Sequence, residues 1–188
     1  MSSAHRKTRH MGWLAPALLV LTPIACQGPL DERSAGSPPP RTEGYAEVER
    51  VVDGDTVVLL ADGSQATPAR LIGVDTPEST RESECFGKEA SGFVRGMLPP
   101  GTVVHYRLGE EPRDRYDRAL VYLWKGDGRK IRESVNARLL KEGYAETLTV
   151  PPNNRYKAEF AEAEREARTA GRGLWSTCGG PDDAAPFG

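Results

Sequence analysis

The chain reads as an α+β domain in which five short strands curl into a small barrel and three helices pack between and after them. Three observations carry that reading. β-branched runs are punctuated by Gly, Asp and Pro turn signals, and three other segments repeat apolar residues at helical spacing. The length, 188 residues, supports one well-packed domain with appendages and is short for two.

Tyr45 to Leu60 carries spaced β-branched residues broken at Asp53-Gly54-Asp55, and Ala61-Asp62-Gly63-Ser64 is a hairpin turn into Gln65 to Val74, which predicts a three-stranded meander. Gly87 to Leu98 is a helix with Phe93, Val94 and Met97 on its apolar side, stopped by Pro99-Pro100-Gly101. Thr102 to Leu108 and Ala119 to Trp124 are two more strands, separated by a charged loop. Ile131, Val135 and Leu139 recur at four-residue spacing, joined by Leu140, and Gly143 sits where a C-terminal cap belongs, giving a second helix. The third begins after Asn153-Asn154, places Tyr156, Phe160, Ala163 and Ala167 on one stripe, and ends at Gly171. Trp124 and Trp175 are read as packing residues, and the charged run Glu159 to Arg172 as the solvated face of the last helix. Five strands so interleaved suit a sheet that closes on itself, and the five-stranded OB-fold barrel is one such architecture.

The ends have a different chemistry. Residues 1–25 place His5, Arg6, Lys7, Arg9 and His10 before an apolar run, Met11 to Leu21, too short for a permanent membrane helix, which predicts an export signal. The run closes on Leu21-Thr22-Pro23-Ile24-Ala25-Cys26, which resembles the box at which bacterial lipoproteins are cut and acylated, although Pro23 replaces its usual leucine. Lipidation at Cys26 with membrane attachment, simple secretion, and a retained anchor all stay open. Residues 26–43, with Pro38-Pro39-Pro40, have the composition of a tether; the folded domain is expected over 44–178 and a flexible tail over 179–188.

Losing Arg6, Lys7 and Arg9 with the signal leaves 22 of the 25 basic residues against 27 acids, a formal charge of −5. That excludes a global basic field, so any affinity for nucleic acid rests on a local basic cleft and a bound cation. Cys85 and Cys178 remain beside Cys26, and in an exported chain they are expected to pair; the alternative is two unrelated buried thiols.

Three segments carry candidate chemistry. In Asp53-Gly54-Asp55-Thr56 a glycine lets the backbone bend and sets Asp55 at a strand mouth; alone, this is also ordinary turn chemistry. Arg70-Leu71-Ile72-Gly73-Val74-Asp75-Thr76-Pro77-Glu78 is an apolar strand ending in oxygen donors, where Pro77 holds Thr76 extended. One carboxylate there can hold a hard cation while the other takes a proton from water. With His105 the only histidine past the signal and the thiols expected to be oxidised, zinc and histidine-base chemistry lack ligands, and an oxygen-only site suits Ca²⁺ first and Mg²⁺ second. Arg113-Asp114-Arg115-Tyr116-Asp117-Arg118 is either a self-paired surface loop or a phosphate-capturing one, in which Arg70 and Arg118 converge on one phosphate.

Together these segments, with Phe86-Gly87-Lys88-Glu89-Ala90, Leu139 to Ala145, Pro152-Asn153-Asn154 and Gly173-Leu174-Trp175-Ser176, resemble the staphylococcal nuclease family over about Tyr45 to Cys178. The resemblance implies an OB-fold barrel with three helices and Ca²⁺-dependent hydrolysis of DNA and RNA to 3′-phosphate ends. It implies Asp55 and Asp75 as metal carboxylates, Thr76 as a carbonyl ligand, Glu78 as general base or water-orienting group, and Arg70 and Arg118 on the scissile phosphate. Arg115 and Tyr116 match residues that contact a terminal phosphate. Two departures stand out: Asp117 replaces a small residue, and Leu148-Thr149-Val150 stands where tyrosines flank the nucleotide in the best-known member. The expected protein is an exported monomer, an envelope lipoprotein or a secreted enzyme, acting on DNA and/or RNA. The rival is a non-catalytic OB-type module that binds single strands or a protein partner.

Overall fold

The computed structural model describes residues 42–61, 65–79 and 84–179. The expectations for the export signal, Cys26, most of the tether, the 62–64 turn and nearly all of the tail lie outside the described residues. In chain order the elements are β1 (Glu43–Val51), β2 (Thr56–Ala61), β3 (Thr67–Leu71), β4 (Gly73–Asp75), α1 (Gly87–Met97), β5 (Val103–Arg113), β6 (Ala119–Lys125), a 3₁₀ turn (Ile131–Glu133), α2 (Val135–Lys141), β7 (Glu146–Leu148), α3 (Lys157–Thr169) and α4 (Leu174–Thr177).

Along β1 the inward Ala46 and Val48 alternate with exposed neighbours, the pattern of a strand with one face on a core. β2 instead buries Thr56 through Leu59 in succession, because both of its faces are covered. The strands close into a barrel in the order β1-β2-β3-β6-β5, with β1 pairing antiparallel to both β2 and β5, and β3 running parallel to β6. Closure leaves no free sheet edge among these five. Val48, Val57, Leu71, Val104 and Val121 belong to the core, which Val94 and Leu98 join from the α1 region and Leu139 and Leu140 from α2.

The expected barrel and helices are present, with four differences of detail. First, the strand expected to run to Val74 ends at Leu71. Gly73 takes φ 81°, a conformation that a side chain resists, and the chain turns out of the barrel so that β4 pairs with β7 in a separate two-stranded sheet. β7 has only three residues and no alternation by which to be recognised. Second, the loop expected after Leu108 is mostly strand, and only the Asp114–Arg118 turn is left. The reason is Asn153, whose side-chain Oδ1 accepts from the Glu111 amide at 3.0 Å while its Nδ2 donates to the Glu111 carbonyl at 2.9 Å. A side-chain amide thus supplies the pairing that a neighbouring strand would give. Third, α2 starts at Val135 and not at Ile131. Ser134 caps it, its Oγ accepting from the Ala137 amide at 3.0 Å, and the preceding residues form the 3₁₀ turn. Fourth, one helical turn, α4, follows α3.

Asn136 fastens α2 to the barrel. Fully buried, it accepts from the Leu123 amide at 3.0 Å and donates to the Ile72 carbonyl at 2.8 Å, at the point where the chain leaves β3 for β4. Trp124 is also fully buried, and its Nε1 donates to the Lys130 carbonyl. Cys85 and Cys178 are bonded, with Cα atoms 6.0 Å apart, and join the turn before α1 to the end of α4.

Gly73 is the hinge of this arrangement, and a methyl group added there would meet the Phe160 ring of α3. Gly73→Ala combines a left-handed backbone with an overfilled contact, so it is expected to lower the unfolding free energy by about 3 kcal/mol in urea melts. A wild-type midpoint in that variant would show that the hinge tolerates a side chain.

Candidate functional site

A cleft of about 650 Å³ opens where β3, β4 and the Asp114–Arg118 turn meet, with Arg70, Asp75 and Glu78 among the residues on its wall. Arg113 comes from the end of β5, Arg115 and Arg118 from the turn, and Leu148 and Val150 from β7 and the residues after it. The third, fourth and fifth strands therefore all contribute.

The deepest group is Asp55, 2 % exposed, at the start of β2. Its Oδ1 forms an ion pair with Arg70 and accepts from Thr56 Oγ1 at 2.9 Å, and its Oδ2 accepts from the Thr76 amide and hydroxyl at 3.3 and 3.2 Å. Burial pushes the Asp55 carboxyl above its ordinary value, against the opposing charge of Arg70. Gly54 matters for a reason beyond its turn: a Cβ there would lie 2.6 Å from Thr76 Oγ1. The glycine thus admits the Thr76 segment to the carboxylate, a use that a bland turn would not require.

Arg70, on β3 opposite Thr56 and Leu120, reaches two carboxylates at once. Besides Asp55 it donates through Nη2 to Asp75 Oδ1 at 2.6 Å and to the Val74 carbonyl at 3.3 Å. Asp55 is nearly inaccessible and Asp75 is 44 % exposed, so the bridge runs from the interior to the cleft. Among the described residues no group of three or more His, Cys, Asp or Glu is close enough to hold a metal ion.

Asp53 is a site residue that the sequence reading passed over. It accepts from the Gly54 amide at 2.8 Å and from Ser79 Oγ and Ser91 Oγ, both at 2.9 Å, and Glu78 is its neighbouring carboxyl. Burial raises the Asp53 carboxyl, but these bonds outweigh it and hold the group below its ordinary value. Glu78 moves the other way, raised first by burial, then by the neighbouring Asp53 carboxyl and by the charges of Asp55 and Glu84. Ser91 sits on α1, 38 residues from Asp53, a separation no local motif reveals.

In the turn, Asp114 organises its neighbours. Its Oδ1 accepts from the amides of Tyr116 and Arg118 at 2.9 and 3.0 Å, and its Oδ2 from Arg118 Nε at 2.7 Å. Tyr116, 65 % exposed, lies under the guanidinium groups of Arg115 and Arg118, whose centres are 4.7 and 5.5 Å from its ring centroid, and its hydroxyl accepts from Arg115 Nη2 at 2.6 Å. Self-pairing and a cleft-lining position coexist here. Asp117 adopts φ 64°, left-handed backbone that costs a side chain strain and glycine none.

A family model described as "Staphylococcal nuclease homologue" matches residues 68–177. Arg70, Asp75, Thr76, Glu78, Arg115, Tyr116 and Arg118 fall inside that span, and Asp55 precedes it. The chain is 36 % identical over 165 residues to a thermonuclease of Staphylococcus intermedius, covering 86 % of this chain and 92 % of that protein. It is 35 % identical over 147 residues to a thermonuclease of Staphylococcus hyicus, with 77 % and 82 % covered. Identity to Endonuclease YncB of Bacillus subtilis is 31 % over 156 residues, with 79 % and 71 % covered.

Asp114 yields a pH prediction. Burial raises its carboxyl, but Arg118 and the two amides outweigh this and set it below the ordinary 3.8. A depressed carboxyl stabilises the fold above its unfolded-state value and loses that contribution as pH falls through its folded-state value. Protection of the Tyr116 and Arg118 amides from hydrogen exchange should hold at neutral pH, decline below pH 3.8, and be lost about tenfold at pH 7 in Asp114→Ala. Unchanged protection in the variant would show that the turn does not depend on this carboxylate.

Proposed function

This chain belongs to the staphylococcal nuclease family, and from that premise we propose that it is a Ca²⁺-dependent phosphodiesterase that hydrolyses DNA and/or RNA to products with 3′-phosphate ends. The observation that carries this reading is the Arg70 guanidinium spanning the buried Asp55 and the cleft-lining Asp75, with Arg118 lining the same cleft.

The donor chemistry suits calcium. Asp55 and Asp75 meet one guanidinium, so their oxygens face a common region where positive charge is already favoured. Thr76, bonded to Asp55 through its amide and hydroxyl, is the residue whose carbonyl would be a third protein ligand. Few protein ligands, all oxygen and completed by water, are compatible with a hard, flexibly coordinated cation. When bound, Ca²⁺ supplies charge neutralisation for the phosphoryl oxygens.

The chain's own residues divide the remaining work. Arg70 and Arg118 grip the scissile phosphate together and offset the negative charge that develops on it. Glu78, on the cleft wall, orients a water and takes its proton; its raised affinity for a proton moves it towards the neutral range in which a carboxylate base is effective. Arg115 and Tyr116, coupled by their hydrogen bond, hold a terminal phosphate. Domain limits of 44–178, export with lipidation at Cys26 or simple secretion, and a monomeric state complete the proposal.

The test is digestion of single-stranded DNA, duplex DNA and RNA by the full chain in Ca²⁺, Mg²⁺ or chelator, beside Glu78→Gln. The expected result is Ca²⁺-dependent cutting that leaves 3′-phosphate ends and falls about 100-fold or more in the variant. Intact substrate under every condition, from protein shown to be folded, would refute the activity.

A further inference from the structure

Arg113 closes β5 and pairs with Ala119 at the head of β6, which puts the two Cα atoms about 5 Å apart across the ladder. It thus stands on one stem of the turn and Arg118 on the other. Each has its own acid. Arg118 Nε meets Asp114 Oδ2 at 2.7 Å, while Arg113 Nη1 meets Asp117 Oδ1 at 3.1 Å and the Asp117 carbonyl at 2.9 Å. Both pairs are four residues apart and run in opposite senses, so one short turn orients two guanidinium groups.

Two features give Arg113 more than a surface ion pair would need. Its contacts to Asp117 leave through Nη1, so the Nε and Nη2 edge keeps the parallel donors that fork onto a phosphate. Its side chain is 52 % exposed and lines the same cleft as Arg70 and Arg118. The wall near them carries Leu148 and Val150, 41 % and 58 % exposed, which have no ring on which a base could stack. Charge contacts along the sugar–phosphate chain are the recognition this cleft is equipped for.

Resting on the nuclease reading above and extending it, we infer that Arg113 is a further phosphate-binding residue, gripping the phosphodiester next to the one held between Arg70 and Arg118.

The experiment measures equilibrium binding of a fluorescent single-stranded DNA of about ten nucleotides to the full chain in chelator, by anisotropy, over a salt series. Wild type, Arg113→Gln, Asp117→Gly and Arg95→Gln are compared; Arg95 is exposed on α1 and outside the cleft lining. The logarithm of the binding constant should fall with the logarithm of salt, and Arg113→Gln should make that slope shallower by about 0.7, the value of one phosphate contact on a single strand. Asp117→Gly, which keeps the guanidinium and fits the left-handed backbone, should retain the wild-type slope, as should Arg95→Gln. An unchanged slope in Arg113→Gln, an equal loss in Arg95→Gln or in Asp117→Gly, or salt-insensitive binding by wild type would overturn the assignment. Failure of the digestion test with a positive result here would sink the nuclease activity and leave this contact standing. The reverse pattern would sink this contact alone.

Discussion

The Arg70 guanidinium, held between a buried carboxylate and a half-exposed one, is the interaction on which the rest of the cleft depends. Asp55 is almost sealed from water, and an ionised carboxylate there is tolerable only with a cation against it and its remaining lone pairs satisfied. Thr56 and Thr76 supply the hydrogen bonds and Arg70 the charge. Meeting those conditions brings together the head of β2, the middle of β3 and the residues after β4, and the fold is arranged to allow it. Gly54 lets Thr76 approach, Gly73 turns the chain out of the barrel, and Asn136 secures the Ile72 carbonyl at that exit.

The same logic recurs around the cleft with different partners. Asp53 gathers two serine hydroxyls and an amide and is lowered, while Glu78 beside it is raised. Two neighbouring carboxyls displaced in opposite directions suit different tasks, one structural and one that exchanges a proton. In the turn Asp114 fixes Arg118 through two hydrogen bonds, to its amide and to Nε, and takes a third from the Tyr116 amide, so the guanidinium is held in one orientation. An acidic chain thus aims individual arginines with acids of its own.

What the sequence made legible follows the range of each interaction. Arg70, Asp75, Thr76 and Glu78 fall within one short run, so an apolar strand ending in oxygen donors was visible as a unit, and the turn chemistry of Asp114 to Arg118 was equally local. The meander and the amphipathic stripes of α1 and α3 were legible through periodicity. Long-range side-chain bonds were not. Ser91 reaches Asp53 from another element, and Asn153 pairs with Glu111 of β5 from 42 residues away. β7 and α4 are too short to show a period. Ile131 has the spacing of a helix start, but Ser134, a stronger capping residue, decides where α2 begins.

The most direct test of the account is a calorimetric Ca²⁺ titration without nucleic acid, comparing wild type with Asp55→Asn, a near-isosteric change that removes the buried charge. If Asp55 and Asp75 form a cation site that Arg70 occupies electrostatically, wild type should bind Ca²⁺ with one-site stoichiometry and the folded variant should lose most of that affinity. Equal binding by both proteins, or none by wild type, would contradict the role given to this carboxylate pair.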